Sequence, residues 1–142
     1  MLVEKIPHDA NDTVFVYTTC GSKEEARSLG LSCVEQKLAI SADFWVIDSI
    51  YPWHYVIQEV EQYMLMLTTV KNKSDQLMKA IGIMHSYTTP MITRLDTAII
   101  NPSYTFWMQN TLEGKKEYIS EHDEEMKQQW NDEKGYHFGR FK

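Results

Sequence analysis

His85 is the first residue in this chain that could do chemistry. It stands between the end of an apolar-periodic stretch and a β-rich one, where a loop can present a side chain to a cleft. Imidazole suits copper and zinc. The competing reading is a histidine at a helix C-terminus that interacts with the last carbonyls. Cys20 closes the first β-rich run, and a thiolate there would favour a soft ion such as Cu(I). Its competing reading is a small half-buried residue at a turn. Cys33 falls on the apolar face of a helix and reads as core. His54 sits between Trp53 and Tyr55 with no second ligand at a metal-like spacing, so it reads as structural. Met64 and Met66 share one strand face and could ligate Cu(I) through their thioethers, though ordinary core has the same pattern. Glu24, Glu25, Glu59 and Glu61 read as solvated faces rather than an acid–base pair. The remaining histidines, His8, His122 and His137, fall in loose or exposed segments.

Several classes of function are disfavoured. The chain contains no HExxH, HxH or CxxC, hence no sequence-local zinc site, and no GxSxG, GxxxxGK or GxGxxG. The net charge is −6 with no dense lysine/arginine stripe, which argues against nucleic acid as a partner. No apolar run approaches the roughly 20 residues needed to cross a bilayer, and the N-terminus lacks the pattern of a secretory signal. Two cysteines without a framework spacing fit a reducing, cytoplasmic compartment.

The elements that must position these residues follow from local pattern. "TVFVYTT" is a strand that ends at Cys20-Gly21-Ser22. Ser22 can cap the next helix, with Glu25 completing a capping box. "SKEEARSLGLSCVEQKLA" approximates the helical period, and Gly30 within it allows close packing on a sheet at a cost of about 1 kcal/mol relative to alanine. "SIYPWHYVIQEVEQYMLMLTTV" reads as two long strands around a bulky turn. Pro52 requires that the first of them turn or lie at a sheet edge. "KNKSDQLMKAIGIMH" is a second helix, capped by Asn72 or Ser74, with Leu77, Ala80, Ile81 and Met84 on one face. "TTPMITRLDTAII" is a fourth strand. "NPSYTFWMQNTLE" opens a third helix with Asn101 as N-cap and Pro102 at the first position, and Trp107 is expected to be substantially buried. The order β-α-β-β-α-β is an α+β, split βαβ arrangement: an antiparallel sheet with helices on one face, plus C-terminal helices. From Glu113 the composition turns highly charged, so the chain divides into a domain over 13–112 and a charged helical extension over 113–142.

In combination, "VYTTCGSKEEA", "VEQKLAISADF", "DSIYPWHYVIQEVEQYMLML", "MHSYTTPMI" and "NPSYTFWM" resemble, in order and spacing, the CutA family of divalent-cation-tolerance proteins. The resemblance implies a ferredoxin-like protomer and a homotrimer joined through the 47–70 hairpin, whose bulky tip would then be interface packing. It also implies copper or another divalent cation, weakly bound at His85 and Cys20, without catalysis. The family's ligating cysteine on the first strand falls nearer Thr18. Other family-like ligand positions carry Ser41 and Met91 here, which implies low affinity. The family's glycine is missing from the hairpin tip, which implies a different turn. An alternative of another class is a trimeric signalling or adaptor module like the PII proteins, with a ligand or an unidentified protein partner bound between subunits.

Overall fold

A computed structural model of the protein describes residues 12–97 and 101–115. Seven elements follow one another: β1 (Thr13–Cys20), α1 (Lys23–Glu35), β2 (Ser41–Trp53), β3 (Val56–Val70), α2 (Lys71–Met84), β4 (Ile92–Asp96) and α3 (Pro102–Leu112). The four strands form one antiparallel sheet in the order β2-β3-β1-β4. This is the expected split βαβ, ferredoxin-like arrangement. The extension beyond Lys115, with His122 and His137, and His8 near the N-terminus, lie outside the described residues.

Alternation decides which face of the sheet is covered. Val14, Val16, Thr18 and Cys20 of β1 and Leu65 and Leu67 of β3 are buried together with Ala26, Leu29 and Cys33 of α1 and Leu77 and Ile81 of α2. Successive strand residues point to opposite faces, so the even positions of β1 all face the covered side of the sheet. Met64 and Met66 point to the other face, where they pair across the sheet with Thr19 and Tyr17 and are half-buried. They are therefore not part of the covered core.

Helix α1 approaches the sheet closely because Gly30 has no side chain. A Cβ there would lie 2.7 Å from the Cβ of Ala42 on β2. The N-terminus of α1 is capped as expected, with Ser22 Oγ accepting from the Glu25 amide at 3.1 Å. Its C-terminus comes earlier than the periodicity suggests. The helix stops at Glu35, Lys37 takes a left-handed backbone with φ 59°, and the Leu38 amide returns to the Cys33 carbonyl. Ile40 then enters the sheet by donating to the Thr68 carbonyl.

Neither expected cap of α2 acts as one. The helix begins directly after β3, with Val70 at the N-cap position and no side-chain bond there. Ser74 is buried inside the first turn, donates to the Lys71 carbonyl and accepts from Arg94 of β4. Tertiary partners have taken over a residue whose local preference is the cap. On the face of α2, Leu77 and Ile81 are fully buried, Met78 packs beside them and Met84 is exposed.

Helix α3 starts as expected: Asn101 Oδ1 accepts from the Ser103 amide at 3.0 Å, and Pro102 occupies the first turn. It builds a second small core of Met108 and Leu112 against Val70. Trp107 is only half-buried in the chain, and Met108 takes the fully enclosed place instead. Lys73 donates to the carbonyls of Lys37 and Leu112, tying the end of α3 to the end of α1.

The β2–β3 hairpin outruns the rest of the sheet. β1 ends at Cys20 opposite Tyr63, yet the β2–β3 pairing continues from Ile47–Gln62 to Trp53–Val56. Pro52 is accommodated because β2 is an edge strand, as the sequence requires. The corner is a two-residue loop in which His54 and Tyr55 have φ 49° and 67°. Both signs are those of a primed hairpin turn, which glycine or asparagine usually supplies. A left-handed backbone costs a residue with a side chain about 1 kcal/mol or more.

Candidate functional site

The topology brings three chain ends together. α1 starts where β1 stops, at Cys20. β3 runs antiparallel to β1, so α2 starts at the opposite end of the sheet and returns to finish beside Cys20. The first turn of α1 carries Glu25, and the C-cap of α2 is His85. The ligand atoms of Cys20, Glu25 and His85 all lie within 4.8 Å of one another. The two residues singled out from the sequence, His85 and Cys20, therefore meet in space.

Glu25 is the residue that sequence reasoning missed. It was expected on a solvated face and as half of a capping box. Its amide serves the cap, but its carboxylate turns inward. Oε1 is buried and has no hydrogen-bond partner among the described residues, and it stands 3.7 Å from His85 Nδ1. The only sequence signal was its place three residues after Ser22, at the end of β1 that α2 also reaches.

His85 is buried and its ring is fully engaged by backbone. Nε2 lies 2.9 Å from the Thr19 carbonyl, and Nδ1 accepts from the Tyr87 amide at 3.0 Å. A carbonyl can only accept and an amide N–H can only donate, so the ring proton is on Nε2 and the lone pair on Nδ1. The Nδ1 lone pair and the Glu25 carboxylate oxygen thus face each other as two acceptors. The expected alternative for His85, contact with the last carbonyls of its own helix, is not what the side chain does. It bridges to β1 instead.

Cys20 is fully enclosed and unpaired, as is Cys33. Burial, and secondarily the nearby Glu25 charge, push the Cys20 thiol up from 9.0 to about 12. It is a thiol at neutral pH, and a cation would have to displace its proton. Burial raises Cys33 to about 11. That residue packs in the main core, as expected, and is not one of the donors grouped with Glu25 and His85. Thr18, on the same strand face as Cys20, is also buried, and its hydroxyl has no partner among the described residues. Ser41 pairs with Thr68, five residues along β3 from Tyr63, the partner of Cys20, and the Met91 sulfur accepts from the Thr93 hydroxyl.

A groove of about 700 Å³ lies alongside, between the base of the long hairpin and the loop after α2. Ser49, Tyr51, Trp53, Gln62, Tyr87 and Met91 are among its walls, and none of the described residues lining it is charged. Tyr87 belongs to both places. Its amide holds His85, its ring lies 4.8 Å from the imidazole, and its hydroxyl donates to Gln62 Oε1 at 3.2 Å. Gly21 makes room for that hydroxyl, since a Cβ there would be 3.2 Å from it. His54, at the hairpin tip, is exposed and stands edge-on to Trp53, apart from the cluster.

Donor types, burial and an unpartnered carboxylate oxygen fit a divalent cation: a thiol, a carboxylate and an imidazole suit zinc or copper. Residues 14–111 match the family described as CutA1 divalent ion tolerance protein. The divalent-cation tolerance protein CutA of Thermococcus kodakarensis is 31% identical over 103 residues, which are 72% of this chain and 99% of that protein. The chloroplastic protein CutA of Arabidopsis thaliana is 25% identical over 70% of this chain and 55% of that protein. The structure of the periplasmic divalent cation tolerance protein CutA of Archaeoglobus fulgidus superimposes with a TM-score of 0.68 at 27% identity, covering 70% of this chain and 98% of that one. The match spans the whole sheet and all three described helices, and the chain belongs to the CutA1 divalent ion tolerance protein family.

Proposed function

We propose that this protein acts in divalent cation tolerance by binding a cation weakly, copper or zinc in kind, without catalytic turnover. Cys20 and His85 are the proposed ligands, and Glu25 supplies the third donor. The observation that carries this reading is the buried Glu25 oxygen, which has no hydrogen-bond partner among the described residues and stands 3.7 Å from His85 Nδ1, itself held by the Tyr87 amide. A cation there satisfies the carboxylate and takes the place of the Tyr87 amide at Nδ1. Weakness follows from the same geometry, because binding must remove the Cys20 proton and free Nδ1 from its amide partner. Calorimetric titration with Zn²⁺ and Cu²⁺ tests it. Wild type is expected to bind, with affinity reduced about tenfold or more in His85→Ala and in Glu25→Gln. Equal binding by wild type and both variants would remove these residues from the site.

The proposed assembly is a cytoplasmic homotrimer in which the 47–70 hairpin supplies much of the interface. An isolated two-stranded ribbon is marginal in water, and this one exposes Ile50, Trp53, Val56 and Ile57. Sedimentation equilibrium is expected to give a trimer at micromolar concentration, and a stable monomer would refute it. The groove beside the hairpin favours a second role, as a PII-like adaptor that takes a ligand or protein partner between subunits. Absence of cation binding by wild type, with a small molecule retained through purification, would favour that role over the first. The charged 113–142 segment is proposed as a helical C-terminal extension of the 13–112 domain.

A further inference from the structure

Tyr87 stands between the cation cluster and the groove, and its backbone occupies the one atom of His85 that a cation needs. Nε2 is committed as a donor to the Thr19 carbonyl, the arrangement that orients a ligating histidine and leaves Nδ1 as its ligand atom. An imidazole nitrogen has a single in-plane lone pair. At Nδ1 that lone pair is held by the Tyr87 amide at 3.0 Å. We propose that Tyr87 is a positioning residue that holds the site closed: its amide and a divalent cation compete for His85 Nδ1, and cation binding releases the Tyr87 segment. This rests on the reading that the cluster binds a cation.

The release is felt beyond the cluster. The hydroxyl of Tyr87 donates to Gln62, which lies on β3 at the base of the long hairpin and is itself buried. Tyr87, Gln62 and Thr19 all line the groove. A Tyr87 that leaves Nδ1 also shifts a wall of the groove and its tie to the hairpin. Cation occupancy is thereby linked to the shape of the surface where a second ligand or a neighbouring subunit would sit.

Competition makes a prediction opposite to that of simple structural support. The Tyr87 hydroxyl and Gln62 are not ligands, and their bond stabilises only the closed arrangement. Tyr87→Phe removes it and is expected to raise Zn²⁺ affinity about fivefold, the effect of one net hydrogen bond. Gln62→Ala is expected to act in the same direction. Zinc suits the titration because it has no redox chemistry with the thiol. Amide hydrogen exchange by NMR supplies the second readout on the full chain. On zinc saturation the Tyr87 amide is expected to exchange about tenfold faster or more, while amides of the core strands slow or stay unchanged. If zinc binds but the Tyr87 amide becomes more protected, or Tyr87→Phe binds no more tightly than wild type, the competition is wrong and the cation site stands. If wild type binds no zinc, the competition falls, and the cation reading falls with it if Cu²⁺ does not bind either.

Discussion

Replacing Gly30 with alanine separates local preference from tertiary fit. In the interior of a helix the substitution should stabilise the protein by about 1 kcal/mol. In this fold the new methyl would sit 2.7 Å from the Ala42 Cβ and 3.4 Å from Leu65 Cδ1. Ordinary contact between carbons begins near 3.5 Å, so about 1 Å must open between α1 and β2. The Ala42 methyl is fixed directly to the strand backbone and cannot swing away. Overpacking of this kind costs about 1–3 kcal/mol, which outweighs the propensity gain and leaves a net loss of about 1 kcal/mol. Urea denaturation at fixed protein concentration would measure it, with Ala42→Gly and the double variant completing a cycle. Removal of the Ala42 methyl should relieve the clash, so the double variant should be more stable than the sum of the single effects by about 1 kcal/mol. A gain in stability from Gly30→Ala alone, or additivity within about 0.5 kcal/mol, would refute the steric account.

Other substitutions probe the remaining elements. Ser22→Ala removes the oxygen that accepts from the Glu25 amide and should cost about 1 kcal/mol by the same denaturation assay. Met108→Ala should cost about 2–5 kcal/mol, because Met108 of α3 is fully enclosed against Val70 and Leu112. Alkaline pH should weaken the fold. Cys20 and Cys33 are raised from 9.0 to about 12 and about 11, so above pH 9 the unfolded chain releases thiol protons that the folded chain retains. The stability these thiols contribute is complete below pH 9 and is lost as pH rises toward 11 and 12. Cys20→Ala should show a shallower decline of the urea midpoint above about pH 9, and identical slopes in both proteins would exclude the effect.

Much of this molecule is written in short-range pattern. The alternation of "TVFVYTT" places one face of β1 in the core, Ser22 and Asn101 cap their helices, and Pro52 marks an edge strand. Each depends on neighbours within a turn of helix or along one strand, where the backbone's unsatisfied amides and the pleat set the preference. The order of the elements then restricts the sheet to very few arrangements, and His85 and Cys20 were legible as residues of interest for that reason. Their chemistry was not. Whether His85 is a ligand or a brace turns on the Thr19 carbonyl, 66 residues away in sequence, and on the amide of Tyr87. Glu25 looks like any surface glutamate until α2 returns to cover it, and Ser74 looks like a cap until Arg94 of β4 reaches it. Hydrogen bonding and desolvation depend on what surrounds a group in three dimensions, and antiparallel strands bring together groups that lie far apart along the chain.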